Sequence, residues 1–304
     1  MSNPVIEFHG VSKSYRRNQV LRSMSLQVER GHTFAFLGRN GAGKTTAIRM
    51  LLGLLNRDAG EIRVLGLDPT EQPLELRAQV GYLAEDQTMY GWMRAAEMLS
   101  FIAPFYPTWD HDLARKYARE FEVPLQTKIK HLSKWQNVRL GLVLALAHRP
   151  ELVILDDPAL GLDPIMRKQF NRDLITHLQG EGLTVFYSSH LLYEVEPVAD
   201  EVAILDQGNI VRQCDTEELR RDVKQIMLAR DALTIVDLET ILDQRPNGQE
   251  LAIVVEGAAA VIEKLQREGT EHRVVDLNLD EIFEAYVVGQ GDEQLAAQPL
   301  VPQK

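Results

Sequence analysis

Short apolar runs recur through the first two thirds of the chain, and longer segments with helical periodicity fill the intervals between them. Val5–His9, Thr33–Leu37, Val80–Ala84, Leu152–Asp156, Thr184–Ser188 and Val202–Asp206 read as strands. Several are apolar on both faces, the pattern of a parallel sheet covered by helices. Lys44–Leu54, Trp135–Ala147, Ile165–Gln179 and Leu191–Val198 read as helices. This alternation predicts an α/β fold with right-handed crossovers. Ala95–Phe121 interrupts it with two helical stretches separated by Pro104 and Pro107, which predicts an inserted helical subdomain.

Beyond Glu217 the texture changes. Gln225–Arg230, Glu250–Val255 and His272–Asp276 read as strands, Ala259–Arg267 and Leu279–Val287 as helices. The expected organisation is a main domain over 3–220, with its helical subdomain over about 86–147, then a small accessory α/β unit over 221–288. The polar, proline-containing stretch 289–304 reads as a flexible tail.

Composition narrows the possible chemistry. Of 304 residues, 45% are apolar and 25% charged, enough for a sizeable core. The single cysteine, Cys214, excludes an internal disulfide and a cysteine-based zinc site. The first residues lack the layout of a secretory signal. The apolar stretch Leu140–Ala147 is far too short to span a bilayer, so membrane contact is expected only through a partner. A net charge of −11 argues against a protein built to neutralise nucleic acid. Arg16, Arg17 and Arg22 read as a solvated basic cluster.

Two segments carry chemistry. Gly38-Arg39-Asn40-Gly41-Ala42-Gly43-Lys44-Thr45 satisfies the phosphate-loop pattern G-x-x-x-x-G-K-[ST], and Thr46 follows. Its glycines let the backbone turn N–H groups inward around a phosphate. The helix expected from Lys44 aims its positive end at the same anion. Lys44 is positioned to reach the β- and γ-phosphates of ATP, and Thr45 to ligand Mg²⁺. The strand Leu152–Asp156 ends in two acids, Asp156 and Asp157, where a parallel strand meets the nucleotide crevice. Asp156 is expected to hold Mg²⁺, and Asp157 to face a water attacking the γ-phosphate.

With these motifs the sequence resembles the ATPase subunits of ABC transporters. Leu132-Ser133-Lys134-Trp135-Gln136 stands where that family usually carries Leu-Ser-Gly-Gly-Gln. Ala159–Asp163 resembles its D-loop, and Ser188-Ser189-His190 its switch histidine at a strand end. Tyr15 stands where the family stacks an aromatic ring on adenine, and Glu85 at its Q-loop glutamine. The resemblance covers about residues 3–220 and implies a P-loop ABC ATPase fold.

The resemblance further implies two subunits, identical or not, closing head to tail around two ATP molecules. Each site would take the phosphate loop, Glu85, Asp156, Asp157 and His190 from one chain. Ser133 and Asp163 would come from the other. The implied setting is the cytoplasmic side of the cell membrane, beneath a separate transmembrane permease. Phe101–Asp110 and the C-terminal unit resemble ABC-2-type exporter ATPases, which implies export.

Four positions depart from the family pattern. Lys134 and Trp135 replace two glycines, Asp157 stands where Glu is usual, and Glu85 where Gln is. Trp135 is either a core residue or an obstruction at the signature. Ser133 is expected to cap its helix as well as to meet an anion. The aromatics of Met89–Met93 either receive a permease helix or pack inside the subdomain. A nucleotide-gated regulator, or a soluble ABC protein with little turnover, is the alternative that the altered positions keep open.

Overall fold

The computed structural model describes residues 4–190 and 195–289, which fall into two compact units, Met1–Gln213 and Cys214–Lys304. The expected domain boundary at 220 lies within a helix of the second unit, Thr216–Asp222.

The first unit is built on two sheets. A six-stranded sheet has the order β5 (Val80–Leu83), β6 (Leu152–Asp156), β7 (Thr184–Ser189), β3 (Thr33–Gly38), β8 (Glu201–Asp206), β9 (Asn209–Asp215). β5, β6, β7, β3 and β8 run parallel. β3, β6 and β7 are buried at every position, which is why they read as continuous apolar runs. The rings of Phe34 and Phe36 pack on Phe186 with centroids 5.6 and 5.1 Å apart. Losing such a buried ring costs about 3–5 kcal/mol.

The second sheet corrects one expectation. Val5–His9 lies inside a longer strand, β1 (Pro4–Tyr15), outside the parallel sheet. β1 pairs antiparallel with β2 (Asn18–Glu29) and β4 (Ala59–Val64). The short turn after Tyr15, with Arg16 at φ 56°, permits only an antiparallel neighbour. β2 escapes a period-two reading because Ser23 takes φ 51° and the register shifts there, separating the buried Leu21 from Met24 by three positions.

Helices supply the remaining layers: α1 (Lys44–Leu51), α2 (Pro73–Arg77), α3 (Ala95–Ile102), α4 (His111–Glu120), α5 (Lys134–Leu146) and α6 (Pro164–His177). α1 ends three residues before the expected Leu54, because Gly53 turns the chain at φ 63°. A Cβ on Gly53 would fall 2.2 Å from the Pro69 carbonyl oxygen. The expected helix Leu191–Val198 lies in part outside the described residues.

α3, α4 and α5 form the helical insertion. α5 is pressed onto β5: a Cβ on Gly81 would lie 2.3 Å from the Ala145 carbonyl oxygen, and one on Gly141 would lie 2.4 Å from a Leu83 methyl. Asp110 caps α4 and also pairs with Arg149 at 2.7 Å. Trp135 is a core residue: it is 9% exposed, packs edge-on to Phe170, and carries the Arg139 guanidinium 4.4 Å from its ring centroid.

The second unit holds an antiparallel sheet in the order β11 (Ile241–Asn247), β12 (Glu250–Val255), β10 (Lys224–Ala229), β13 (His272–Val275). Its helices are α7 (Thr216–Asp222), α8 (Ala258–Arg267) and α9 (Leu279–Val287). Ile226, Leu228, Ile253 and Val255 form its core with Val261 and Leu265 of α8. β11 carries Pro246 and mostly exposed polar residues, as an edge strand does, and so gives no period-two signal. The expected tail lies outside the described residues from 290 onward. Among the described residues, no helix is long and apolar enough to cross a membrane.

Candidate nucleotide site

A cavity of about 450 Å³ opens at the carboxyl ends of the parallel strands. Its floor is the turn between β3 and α1. Gly41 and Gly43 take φ 86° and 116°, the left-handed region a side chain would oppose. At Gly43 a Cβ would also meet Leu21 at 2.7 Å. Arg39, Asn40, Gly41, Gly43, Lys44, Thr45 and Thr46 line the cavity. Gly38 and Ala42 are buried within the same turn.

Lys44 begins α1 and is 6% exposed. Its ammonium donates to the Gly38 carbonyl at 2.7 Å and lies 3.9 Å from Oδ2 of Asp157. Burial pushes its pKa down; the charges of Asp157, Asp156 and Glu85 oppose that shift. The site is thus a desolvated cation faced by carboxylates.

The strand register assembles the acidic side. Asp156 pairs with Ser188 across β6 and β7, and the Ser188 hydroxyl donates to Asp156 Oδ1 at 2.8 Å. Burial pushes the Asp156 carboxyl up; the Ser188 hydrogen bond opposes this, while Asp157 and Glu85 add to it. Tyr82, on β5, is pushed up to about 12, first by burial and then by Asp156. Asp157 leaves the strand at φ 43°, with its amide bonded to the Ser188 carbonyl at 3.1 Å. Its Oδ1 is 2.8 Å from Nδ1 of His190.

Glu85, Asp157 and His190 join the phosphate loop in lining the cavity. Asp156 lies behind them, 2% exposed. Tyr15, Ser133 and Asp163 do not line it. Tyr15 ends β1, 44% exposed, with the Lys13 ammonium 5.7 Å from its ring centroid. Ser133 caps α5 in a reciprocal box with Gln136, a contact worth about 1 kcal/mol. Asp163 caps α6 through the amides of Ile165 and Met166. Sequence reasoning missed three contributors: Val20 and Leu160 line the cavity, and Ser188 holds Asp156. Ser188 stood in a quoted motif, but its bond to Asp156 follows from the strand register, which the sequence does not show.

Known proteins resemble this chain in sequence and in fold. The family model described as ABC transporter matches residues 21–160. The bacitracin transport ATP-binding protein BcrA of Bacillus licheniformis is 32% identical over 71% of this chain and 72% of its own length. The linearmycin resistance ATP-binding protein LnrL of Bacillus subtilis (strain 168) is 31% identical over 68% of each. A solved ATP-binding subunit of an ABC transporter superposes with a TM-score of 0.65 at 28% identity, covering 71% of this chain and 92% of that one. With its phosphate loop, its fold and these relatives in agreement, the chain belongs to the ABC transporter family, as one of the ATP-binding, ATP-hydrolysing subunits that power transport.

Proposed function

We propose that the chain drives export through a separate transmembrane permease, hydrolysing Mg·ATP in a dimer whose two sites are each shared between subunits. The observation that carries this reading is the convergence of Lys44, Asp157 and His190 on one phosphate-loop cavity.

Within a site, the loop amides from Gly38 to Thr46 cradle the phosphates and Lys44 neutralises the β- and γ-phosphates. Asp157 orients the water whose oxygen attacks the γ-phosphorus as the bond to the β-phosphate oxygen breaks. His190 holds the Asp157 carboxylate in place and faces the γ-phosphate. Tyr15 stacks on adenine, and Ser133 and Asp163 complete the site from the second subunit. Thr45, Asp156 and Glu85 supply oxygen donors for Mg²⁺, which when bound neutralises phosphate charge. Among the described residues, no group of three or more His, Cys, Asp or Glu is set up to hold a metal alone. That suits an ion shared with nucleotide phosphates.

The helical insertion offers the permease contact. Trp92, Tyr90, Phe101 and Phe105 form a ladder of rings with successive centroids 6.0, 5.6 and 5.7 Å apart. Trp92 and Phe105 are 66% and 67% exposed, so the ends of the ladder are open to solvent. A cavity of about 550 Å³ runs beside the ladder, bounded by Met89, Met98 and Tyr106. A short helix from the permease on the cytoplasmic face of the membrane is the proposed occupant. Export is supported by similarity to a protein named for linearmycin resistance.

The test is turnover. The purified chain is expected to release phosphate from Mg·ATP, and Lys44→Ala to abolish ATP binding while keeping the circular dichroism of the fold. Wild-type affinity for Mg·ATP in Lys44→Ala would sink the reading.

A further inference from the structure

Three consecutive residues of β1, just ahead of Tyr15, are tied to one acidic residue that no motif covers. The Asp58 amide donates to the Ser12 carbonyl at 3.0 Å. The Asp58 carboxylate accepts from the Lys13 ammonium at 2.7 Å and, through its other oxygen, from the Ser14 amide at 2.7 Å. Lys13 in turn holds its ammonium 5.7 Å from the centroid of the Tyr15 ring. A cation at that distance is attracted to the ring face. The ammonium therefore takes one face of Tyr15 and leaves the other for a base.

The clamp sits where the sheet itself gives out. Pairing of β1 with β4 ends at Ser12 and Ala59, so Lys13, Ser14 and Tyr15 run on without a β4 partner. On the other side, the β2 partner shifts from Leu21 at Lys13 to Gln19 at Ser14. The residue skipped is Val20, which lines the phosphate cavity. A bulge of this kind loosens the ladder and re-aims the side chains beside it. The clamp is also joined to the phosphate loop. Gly53 turns the chain out of α1 at φ 63°, and a short connection leads from there to Asp58. Its neighbour Arg57 is fixed by Asp68 at 2.8 Å and by the Gly60 carbonyl at 2.9 Å. One connection thus has the phosphate-binding helix at one end and the hold on Tyr15 at the other, and it sets the distance between them.

We infer that Asp58 is a positioning residue for nucleotide binding: through Lys13 and the Ser14 amide it fixes the Tyr15 ring as the platform for adenine, at a set distance from the phosphate loop. The inference rests on the stacking of Tyr15 on adenine proposed above. Asp58 does not line the phosphate cavity. Its effect therefore falls on binding of the base and not on the chemical step. Asp58 is exposed, and exposed ion pairs add little to folding, so its loss leaves the fold in place.

The experiment titrates the full-length chain with Mg·ATP and with magnesium tripolyphosphate, which has no base to stack, and measures KM and kcat for ATP. Tyr15→Ala is expected to weaken ATP binding about tenfold, the scale of one base–aromatic stack, and to leave tripolyphosphate binding unchanged. Asp58→Ala should show the same selectivity at about threefold or more, raising KM for ATP with kcat within about twofold. Combined with Tyr15→Ala it should add nothing further, because both act on one platform. ATP binding unchanged in Asp58→Ala, while Tyr15→Ala weakens it, would overturn the assignment alone. So would an equal loss of ATP and tripolyphosphate binding, or an effect that adds in full to that of Tyr15→Ala. Retained ATP affinity in Tyr15→Ala would overturn the adenine platform, and the assignment with it. Should Asp58→Ala fail to fold, Lys13→Met, which leaves the bond between Asp58 and Ser14 in place, is read against the same outcomes.

Discussion

Nδ1 of His190 lies 2.8 Å from Oδ1 of Asp157, and the His190 amide is 3.3 Å from the same oxygen. One carboxylate oxygen is therefore held from the end of β7, while the other is turned toward Lys44 at 3.9 Å. Asp157 is fixed by two neighbours on a backbone already bent to φ 43°. Asp157→Asn is expected to keep ATP affinity, suppress hydrolysis and prolong the ATP-bound dimer. Asp157→Glu should hold or raise the rate, since one more methylene extends the reach. Each tenfold change in rate corresponds to about 1.4 kcal/mol of barrier. Steady-state phosphate release on the three proteins decides this, and an Asn variant as fast as Asp would remove Asp157 from catalysis.

Ser133 lies outside its own chain's cavity, so it should act across the dimer. Lys44→Ala and Ser133→Arg chains, each inactive alone, are expected to recover turnover when mixed, because a mixed dimer holds one intact site. Mixed dimers that form and stay inactive would contradict a shared site.

Trp92→Glu should release the chain from membranes that contain its permease, because a charge at the end of the aromatic ladder is costly to bury. ATP affinity of the isolated chain should change by less than about twofold, since the ladder does not line the phosphate cavity. Membrane cofractionation and a nucleotide titration measure the two effects separately.

His148 is 1% exposed and stacked on Tyr106 at 4.1 Å. Burial pushes its pKa down. The folded state keeps the ring neutral, whereas the unfolded state takes up a proton below the ordinary imidazole value. This contribution to stability is complete above about pH 6.5 and declines as the pH falls below it, by at most about 1.4 kcal/mol per unit. Urea unfolding between about pH 5 and 8 should show the loss, and His148→Phe should reduce it. An unchanged pH slope in the variant would exclude His148 as its source.

The parallel sheet was legible because Thr33–Leu37 and Leu152–Asp156 are buried on both faces and read as unbroken apolar runs. The phosphate loop was legible because glycine spacing dictates its backbone. The antiparallel sheet was not: β2 carries Ser23 at a left-handed φ that breaks its alternation, and β4 alternates exposed polar residues with only Ile62 and Val64. Val20 could not be found by any motif, because its part in the cavity follows from where β2 passes. Trp135 illustrates the opposite limit. Its identity left a core residue and an obstruction equally open, and only the packing of α5 against Phe170 shows that it faces inward.

The passage of β2 beneath the phosphate loop has a consequence for how this site can diversify. The Val20 carbonyl oxygen would lie 3.2 Å from a Cβ on Gly43 and 2.4 Å from one on Gly208. Gly43 is crowded by the Leu21 and Val20 side chains as well as by that carbonyl, and Gly208 by Val20 main chain. Substitution of either glycine would push against β2, so neither can take a side chain without moving that strand. Variation in this cavity is therefore left to the side chains that line it, among them Val20, Arg39 and Leu160.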